Sequence, residues 1–464
     1  MSLALQHVEE LQQTFRSGRT RSYEWRLQQL KQIIKLMEEN EDRFIDALAK
    51  DSGKAAFTAL AGEILFVKSE ANYAIKKLKK WMKPKKVGTP LFLWPAKSQI
   101  QPTPFGVILI GVAWNFPVQL TLGPLVAAIA AGNCAVIKPP SMSPEFCKLI
   151  EELVPKYFDN DAIRAFQPQG DDRNNLLSAP FDLILYTGSA HVGRVVMRAA
   201  AENLTPVLLE LGGKNPCVVT EDAILDATAN RIVDAKFMNA GQICVNVDYI
   251  LAHESIKDQL VEKLVEKIKV QQGEDPQKSL AYSRIINDHH WNRLMDLCNS
   301  GDVIIGGTGD QADRYIAPTV LDNVSIDSEI MKDEVFGPIL PVLTYKTKQD
   351  ILDIMARYGK PLCFYIFSKE GPKDPFTADM INSTESGGVG INSIMLHVVN
   401  HNLPFGGVGE SGMGTYHGKF GFDAFSHSRA ICSKSAKLDF DQAYPPYTEE
   451  NIGGREKAMR FLIK

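Results

Sequence analysis

Cys244 stands where a stretch of small residues, Asn239-Ala-Gly241, gives way to the apolar run Tyr249-Ile-Leu-Ala252. A thiol at such a junction is presented at the end of an element instead of being packed inside one. Thirty-four residues upstream, Glu210 interrupts the apolar stretch Leu208–Leu211 and is followed at once by Gly212 and Gly213. Burial penalises the charged form of a carboxyl group, so a glutamate in such a strand carries a raised pKa, which suits a base working near neutrality. A presented thiol and a tuned carboxylate are the two ingredients of covalent catalysis. A free thiol of pKa ~8.5 is only a few per cent thiolate at neutral pH, so such a site must also assist its ionisation.

The elements that would position these two residues form alternating strands and helices. Val107–Gly111 and Cys134–Lys138 are short apolar strands, joined by a helix through the alanine- and leucine-rich Leu120–Ala131. Strands at Phe181–Tyr186, Val207–Leu211 and Pro216–Val219 extend the series, and a second α/β series begins near Asp222. It includes a helix over Asp258–Val270 and strands at 303–306 and 340–345. Continuous apolar strands alternating with helices imply a doubly wound parallel sheet, whose ligands bind at the carboxyl ends of the strands.

That rule singles out Trp114, Asn115, Lys138, Gly188, Ser189 and Gly212. Asn115 could cap the following helix or donate to an oxyanion. Lys138 reads as a surface lysine at a turn or as a charge at the ligand edge. Tyr186-Thr-Gly-Ser-Ala-His-Val-Gly193 opens a helix and could receive a phosphate, but only Gly188 and Gly193 are present, short of the three-glycine dinucleotide fingerprint.

Before this series, Ser22 is placed to cap a helix bearing Leu27, Leu30, Ile34 and Met37, and two more helices follow through Phe44 and over 57–82. Residues 83–104 contain five prolines, which suit edge strands or a crossing linker. The glycine-dense runs 386–392 and 403–414 mark close backbone approach.

The 464-residue chain is 45% apolar and 23% charged, with a net charge of −4, so it is globular and holds more than one domain. The lysines at 76, 77, 79 and 80 form a local patch that reads as a solvated helix face, not a nucleic-acid surface. Seven cysteines with no Cys-x-x-Cys pair fit a reducing, cytoplasmic setting and argue against disulfides or zinc. No apolar stretch approaches the ~20 residues of a membrane span.

Taken together, these motifs resemble the NAD(P)-dependent aldehyde dehydrogenases. The resemblance rests on Pro104-Phe-Gly-Val107, Trp114-Asn-Phe-Pro117, Lys138-Pro139, Tyr186-Thr-Gly-Ser189, Leu209-Glu-Leu-Gly-Gly-Lys-Asn-Pro216, Gly241-Gln-Ile-Cys244, Glu334-Val-Phe-Gly-Pro338 and Pro404-Phe-Gly-Gly-Val-Gly409. The stretches 15–21, 414–419 and Tyr444-Pro-Pro-Tyr447 are similar to the class 3 branch, which includes fatty and aromatic aldehyde dehydrogenases.

The resemblance implies the aldehyde dehydrogenase fold: a doubly wound cofactor domain (1–82 and 105–208), an α/β catalytic domain (209–397) and an oligomerisation arm with the C-terminal segment (83–104 and 398–464). A homodimer is expected. Cys244 is the implied nucleophile, with Asn115 and the Cys244 N–H as oxyanion donors and Glu210 as base, supported by Glu334. NAD or NADP would lie against Trp114, Lys138, Ser141, Gly188, Ser189, Gly193, Leu211, Glu334 and Phe336. Phe116, Asp234, Met238 and Phe405 would line the aldehyde tunnel.

Two departures from the family pattern carry expectations. Ser141 replaces a ribose-binding glutamate, which removes repulsion of a 2′-phosphate and predicts that NADP is accepted or preferred. Asp234 replaces a frequent tryptophan, which predicts poor binding of anionic aldehydes unless its side chain turns to solvent. A CoA-acylating dehydrogenase normally lacks the base that Glu210 supplies, and a non-catalytic relative would be expected to lose Cys244 or Asn115.

Overall fold

The computed structural model describes residues 3–170, 172–438 and 444–463. Met1, Ser2, Asp171, residues 439–443 of the C-terminal segment and Lys464 lie outside them. The architecture is mixed α/β, with two mainly parallel sheets that carry the site and two smaller antiparallel ones, of three and two strands.

The first sheet has six strands in the order Gly412–Met413, Val207–Leu211, Leu183–Gly188, Val107–Gly111, Cys134–Lys138 and Ile163–Ala165. All pair in parallel except Gly412–Met413, which runs antiparallel to the Glu210 strand. Its central strands are buried, as continuous apolar runs require when helices cover both faces. The helix Pro117–Ala131 is buried along nearly its whole length, which accounts for its lack of a polar face. The register aligns Gly111 with Lys138 and with Tyr186, and Gly188 with Leu211. One edge of this sheet therefore gathers the ends of four strands and the turns that leave them.

The second sheet has seven strands in the order Asp302–Ile305, Thr319–Asp322, Ile339–Tyr345, Tyr249–His253, Pro216–Val219, Cys363–Phe367 and Gly388–Ile391. This corrects one expectation. Pro216–Val219 does not extend the first series but sits between Tyr249–His253 and Cys363–Phe367 in the second. The chain crosses between sheets at Gly212–Asn215. The strand expected at Phe181–Tyr186 runs from Leu183 to Gly188, because Pro180 to Asp182 form the entry to it.

Ser22 caps its helix through the Trp25 N–H, as expected. The helix expected over 57–82 is interrupted by a π turn at Leu60–Ile64 and continues as Leu65–Trp81. The proline-rich stretch supplies Lys85–Val87 and Lys97–Pro104, which pair antiparallel with each other, and Lys97–Pro104 also pairs antiparallel with Ser426–Ser433. No helix among the described residues is long and apolar enough to cross a membrane.

Candidate active site

The site forms where the carboxyl edge of the first sheet meets the amino edge of the second. From the first come the Trp114–Phe116 turn, Lys138, Gly188, Leu211 and Gly212. From the second come the Cys244 loop, which precedes Tyr249–His253, and Glu334–Pro338, which precedes Ile339–Tyr345. Several contacts join the two edges. The Asn115 Nδ2 donates to the Gln242 carbonyl oxygen at 3.1 Å. The rings of Trp114 and Phe336 meet edge-on at 5.4 Å. The Glu334 carboxylate packs against the Gly212 backbone.

Cys244 is partly exposed in the turn that follows a left-handed backbone passage through Asn239, Ala240 and Gly241 (φ 52, 50 and 76°). Only glycine adopts this conformation readily. At Gly241 it is also demanded by space, since a Cβ there would lie 2.1 Å from the Gly337 carbonyl oxygen. The loop is pinned from behind. Asn215 Nδ2 donates to the carbonyl oxygens of Cys244 (2.8 Å) and Asn246 (3.0 Å), while its Oδ1 accepts from the Cys363 N–H (2.9 Å). Tyr365 donates to the Val245 carbonyl, the buried Lys236 to that of Val247, and Ile286 N–H to Gln242 Oε1.

Burial and the nearby carboxyl groups of Glu334 and Glu210 push the Cys244 thiol pKa up. Glu210 lies buried in its strand with both carboxyl oxygens lacking a hydrogen-bond partner, and desolvation raises its pKa well above 4.5. An unpartnered buried carboxyl group costs stability. Its place in a strand otherwise apolar makes it a candidate functional group. Burial, then the neighbouring Asp248, also raises Glu334, against the opposing charges of Lys214 and Arg293.

Asn115 does not cap the following helix. Phe116 occupies the cap position, and the Val118 and Gln119 N–H groups are taken instead by the buried carboxylate of Glu63. That removes one of the two sequence readings of Asn115. Phe116 is buried beneath the Lys54 ammonium, 4.0 Å from its ring centre. Lys138 ends its strand half-buried, and Ser141 lies exposed in the turn beyond it. Ser189 caps the helix Ala190–Glu202 by accepting from the Val192 N–H. Gly193 lets that helix approach Leu211, whose Cδ2 would lie 2.9 Å from an added Cβ.

Met238 begins the turn toward Cys244, and Phe405 is buried, stacked on His417 at 5.1 Å. Asp234 lies one turn before Met238, whose N–H donates to its carbonyl oxygen, with its own side chain on the exposed face of the helix Leu225–Phe237. Partial burial raises its pKa.

Several residues with evident roles here carried no assignment from sequence. Lys214 pairs with Asp248 at 2.5 Å and donates to the Ile330 and Asp333 carbonyls. Asp248 accepts from the Val335 N–H, so the pair braces both sides of Glu334. Asn215, Lys54 and Glu63 belong to the same group. Lys214 and Asn215 lie in the motif Leu209–Pro216 without a role of their own, and the others showed only as polar residues beside apolar runs, which surface positions also show.

A model of the aldehyde dehydrogenase family matches residues 4–431. The chain belongs to that family. It is 41% identical over 452 residues to the 4,4′-diaponeurosporen-aldehyde dehydrogenase of Staphylococcus aureus, covering 97% of each chain. To the dimeric NADP-preferring aldehyde dehydrogenase of Canis lupus familiaris it is 42% identical, over 96% of this chain and 98% of that one. The substrate-bound structure of Staphylococcus aureus AldH superposes with a TM-score of 0.95 at 40% identity, covering 100% of both chains. The enzyme is an NAD(P)-dependent oxidoreductase of aldehydes.

Proposed function

We propose that the enzyme oxidises medium- or long-chain aliphatic or aromatic aldehydes to carboxylic acids, with Cys244 as nucleophile and Glu210 as base, and that NADP serves as well as NAD or better. The observation that carries this reading is the pair of buried, unpartnered Glu210 oxygens within electrostatic reach of Cys244. A carboxylate of raised pKa binds a proton more tightly, so it can take one from the thiol or, later, from water.

The Cys244 sulfur bonds to the aldehyde carbon, and the carbonyl oxygen becomes anionic. The Asn115 amide has two N–H donors, and the Gln242 bond uses one, so the second can meet that oxygen with the Cys244 N–H. One such donor is worth on the order of 10²–10³ in rate. The nicotinamide, when bound, supplies the hydride acceptor. Water activated by Glu210, with Glu334 in support, then releases the acid and restores the Cys244 thiol.

The residues fit a dinucleotide. Bare backbone at Gly188, where a Cβ would collide with the Tyr186 hydroxyl, stands at the start of a helix able to receive a diphosphate. Trp114 and Phe336 offer aromatic faces, and Lys138 a charge. On the substrate side, Phe116, Met238 and Phe405 favour apolar chains and rings, and Asp234 lies exposed on the helix that leads to Met238.

We also infer a cytoplasmic homodimer assembled through the 83–104 arm. The exposed run Leu91-Phe-Leu-Trp94 supports an apolar contact, and seven free cysteines suit a reducing compartment. Light scattering should give twice the chain mass.

The test of the chemistry is NAD(P)H absorbance on adding short, long and aromatic aldehydes, with Cys244→Ala as control and the acid identified as product. Acyl-CoA formation, or turnover by Cys244→Ala, would overturn this reading.

A further inference from the structure

The turn that carries Asn115 is held by two charges that no part of the proposed chemistry uses. Lys54 and Glu63 flank the short helix Ala56–Ala59, with Glu63 inside the π turn Leu60–Ile64. Both are buried, at 3% and 0% exposure, and they form an ion pair with each other. Lys54 Nζ also donates to the Asn115 carbonyl oxygen at 2.6 Å and lies over the Phe116 ring. Glu63 Oε2 accepts from the N–H groups of Val118 (2.7 Å) and Gln119 (3.3 Å). One ion pair thus touches residues 115, 116, 118 and 119, where the turn after the strand Val107–Gly111 enters the helix Pro117–Ala131.

Taking two charges out of water is costly, and a well-packed apolar pair of similar volume is often at least as stable. Stability alone therefore gives little reason to keep the pair. What an apolar pair could not do is fix a backbone carbonyl on one side and two backbone N–H groups on the other, each by a charge-assisted bond. Those bonds hold the backbone that follows the Asn115 side chain. Asn239 Nδ2 also donates to the Asn115 carbonyl oxygen, at 3.2 Å, so the Lys54 side reaches the Cys244 loop through a shared acceptor.

We infer that Lys54 and Glu63 are positioning residues for the aldehyde oxidation: the buried pair orients the Asn115–Phe116 turn so that the Asn115 amide meets the oxyanion and Phe116 meets the substrate. The inference rests on the proposed role of Asn115 as oxyanion donor. Misplacing a catalytic group by about 1 Å can cost 10²-fold in rate.

The experiment uses the full-length enzyme. Lys54→Met alone strands the Glu63 carboxylate and lowers Tm. Lys54→Met combined with Glu63→Gln removes both charges while keeping an oxygen acceptor for the Val118 N–H, so Tm returns toward the parent value. The expected result is that kcat of this pair variant stays down by on the order of tenfold to a hundredfold, with the thermal shift on adding NAD(P) unchanged. In an Asn115→Ala background the same pair of substitutions should cost less than about threefold further, because the group they orient is gone. Recovery of kcat together with Tm, or losses that add in full across the cycle, would overturn the inference and leave the role of Asn115 standing. An Asn115→Ala enzyme with undiminished kcat would remove that role, and this inference with it. Should the pair variant not fold, Glu63→Gln alone carries the same cycle.

Discussion

The Glu334 carboxylate rests on the backbone of Gly212, so near that a Cβ added there would lie 1.9 Å from Oε2. Gly212 ends the Glu210 strand's run and Glu334 precedes a strand of the other sheet, so this contact couples the two halves of the site. Gly212 has no left-handed backbone to defend, and the clashing atom is the end of a flexible side chain. Gly212→Ala is therefore expected to move Glu334 without unfolding the protein. If Glu334 holds the cofactor as the family resemblance implies, KM for the cofactor should rise on the order of tenfold, while Tm changes little. The same substitution should be nearly silent in a Glu334→Ala background. Steady-state kinetics of the three variants check this, and equal losses in both backgrounds would refute it.

Asn215 satisfies three backbone groups at once, the carbonyls of Cys244 and Asn246 and the N–H of Cys363. Asn215→Asp would turn an oxygen toward two carbonyl oxygens, which repels, whereas Asn215→Ala leaves the groups merely unpaired at ~1–3 kcal/mol each where buried. Aspartate should therefore lower Tm more than alanine despite its closer shape. Both should alter the alkylation rate of Cys244 by iodoacetamide. A more stable aspartate variant would show that this amide does not hold the cysteine loop.

The parallel sheets were legible because buried strands such as Val107–Gly111 are continuous apolar runs; Glu210 stood out as an interruption of such a run, and Cys244 as a thiol at the junction of a small-residue stretch and an apolar run. Which sheet a run joins was not. Pro216–Val219 looks like its predecessors, and only the pairing of Cys217 with Tyr365 and of Pro216 with Tyr249 assigns it to the second sheet. The bracing residues were hidden for a related reason. Lys54, Glu63, Lys214 and Asp248 have the types that dominate surfaces, and their burial is decided by partners distant in sequence. Asn115 showed its type and place, but its freedom from helix capping depends on Glu63, whose hold on the Val118 and Gln119 N–H groups no local pattern encodes.

Glu210 makes stability depend on pH in a definite direction. Its carboxyl group titrates near 4.5 when unfolded and well above that in the folded protein. As pH rises through 4.5 the unfolded chain ionises first, so this group withdraws stability progressively until the folded form ionises too, after which the deficit is constant. Glu210→Gln has no such titration. Its Tm should exceed that of the parent at pH 8, with a smaller advantage at pH 5.5. A gap that shrinks as pH rises would exclude a raised pKa at this position. In the parent, kcat should fall on acidification through a pKa above the ordinary carboxylate range, and that limb should vanish in the variant.

Ser141 lies exposed in the turn after Lys138, the position from which a residue would face the adenosine ribose in the proposed binding mode. A serine there neither repels a 2′-phosphate nor grips a 2′-hydroxyl as a carboxylate would. Ser141→Glu places a negative charge against a group that itself carries roughly −1.5 to −2 at neutral pH. Across an exposed contact of about 4 Å, repulsion of ~1 kcal/mol or more is expected, so the ratio of NADP to NAD efficiency should fall on the order of tenfold. Because the contact faces water, 1 M salt, with its Debye length of about 3 Å, should erase much of the change. The measurement is kcat/KM for both cofactors at low and high ionic strength. Strong NAD selectivity in the parent, joined to unchanged NADP use in Ser141→Glu, would mean that the 2′-phosphate does not approach this turn.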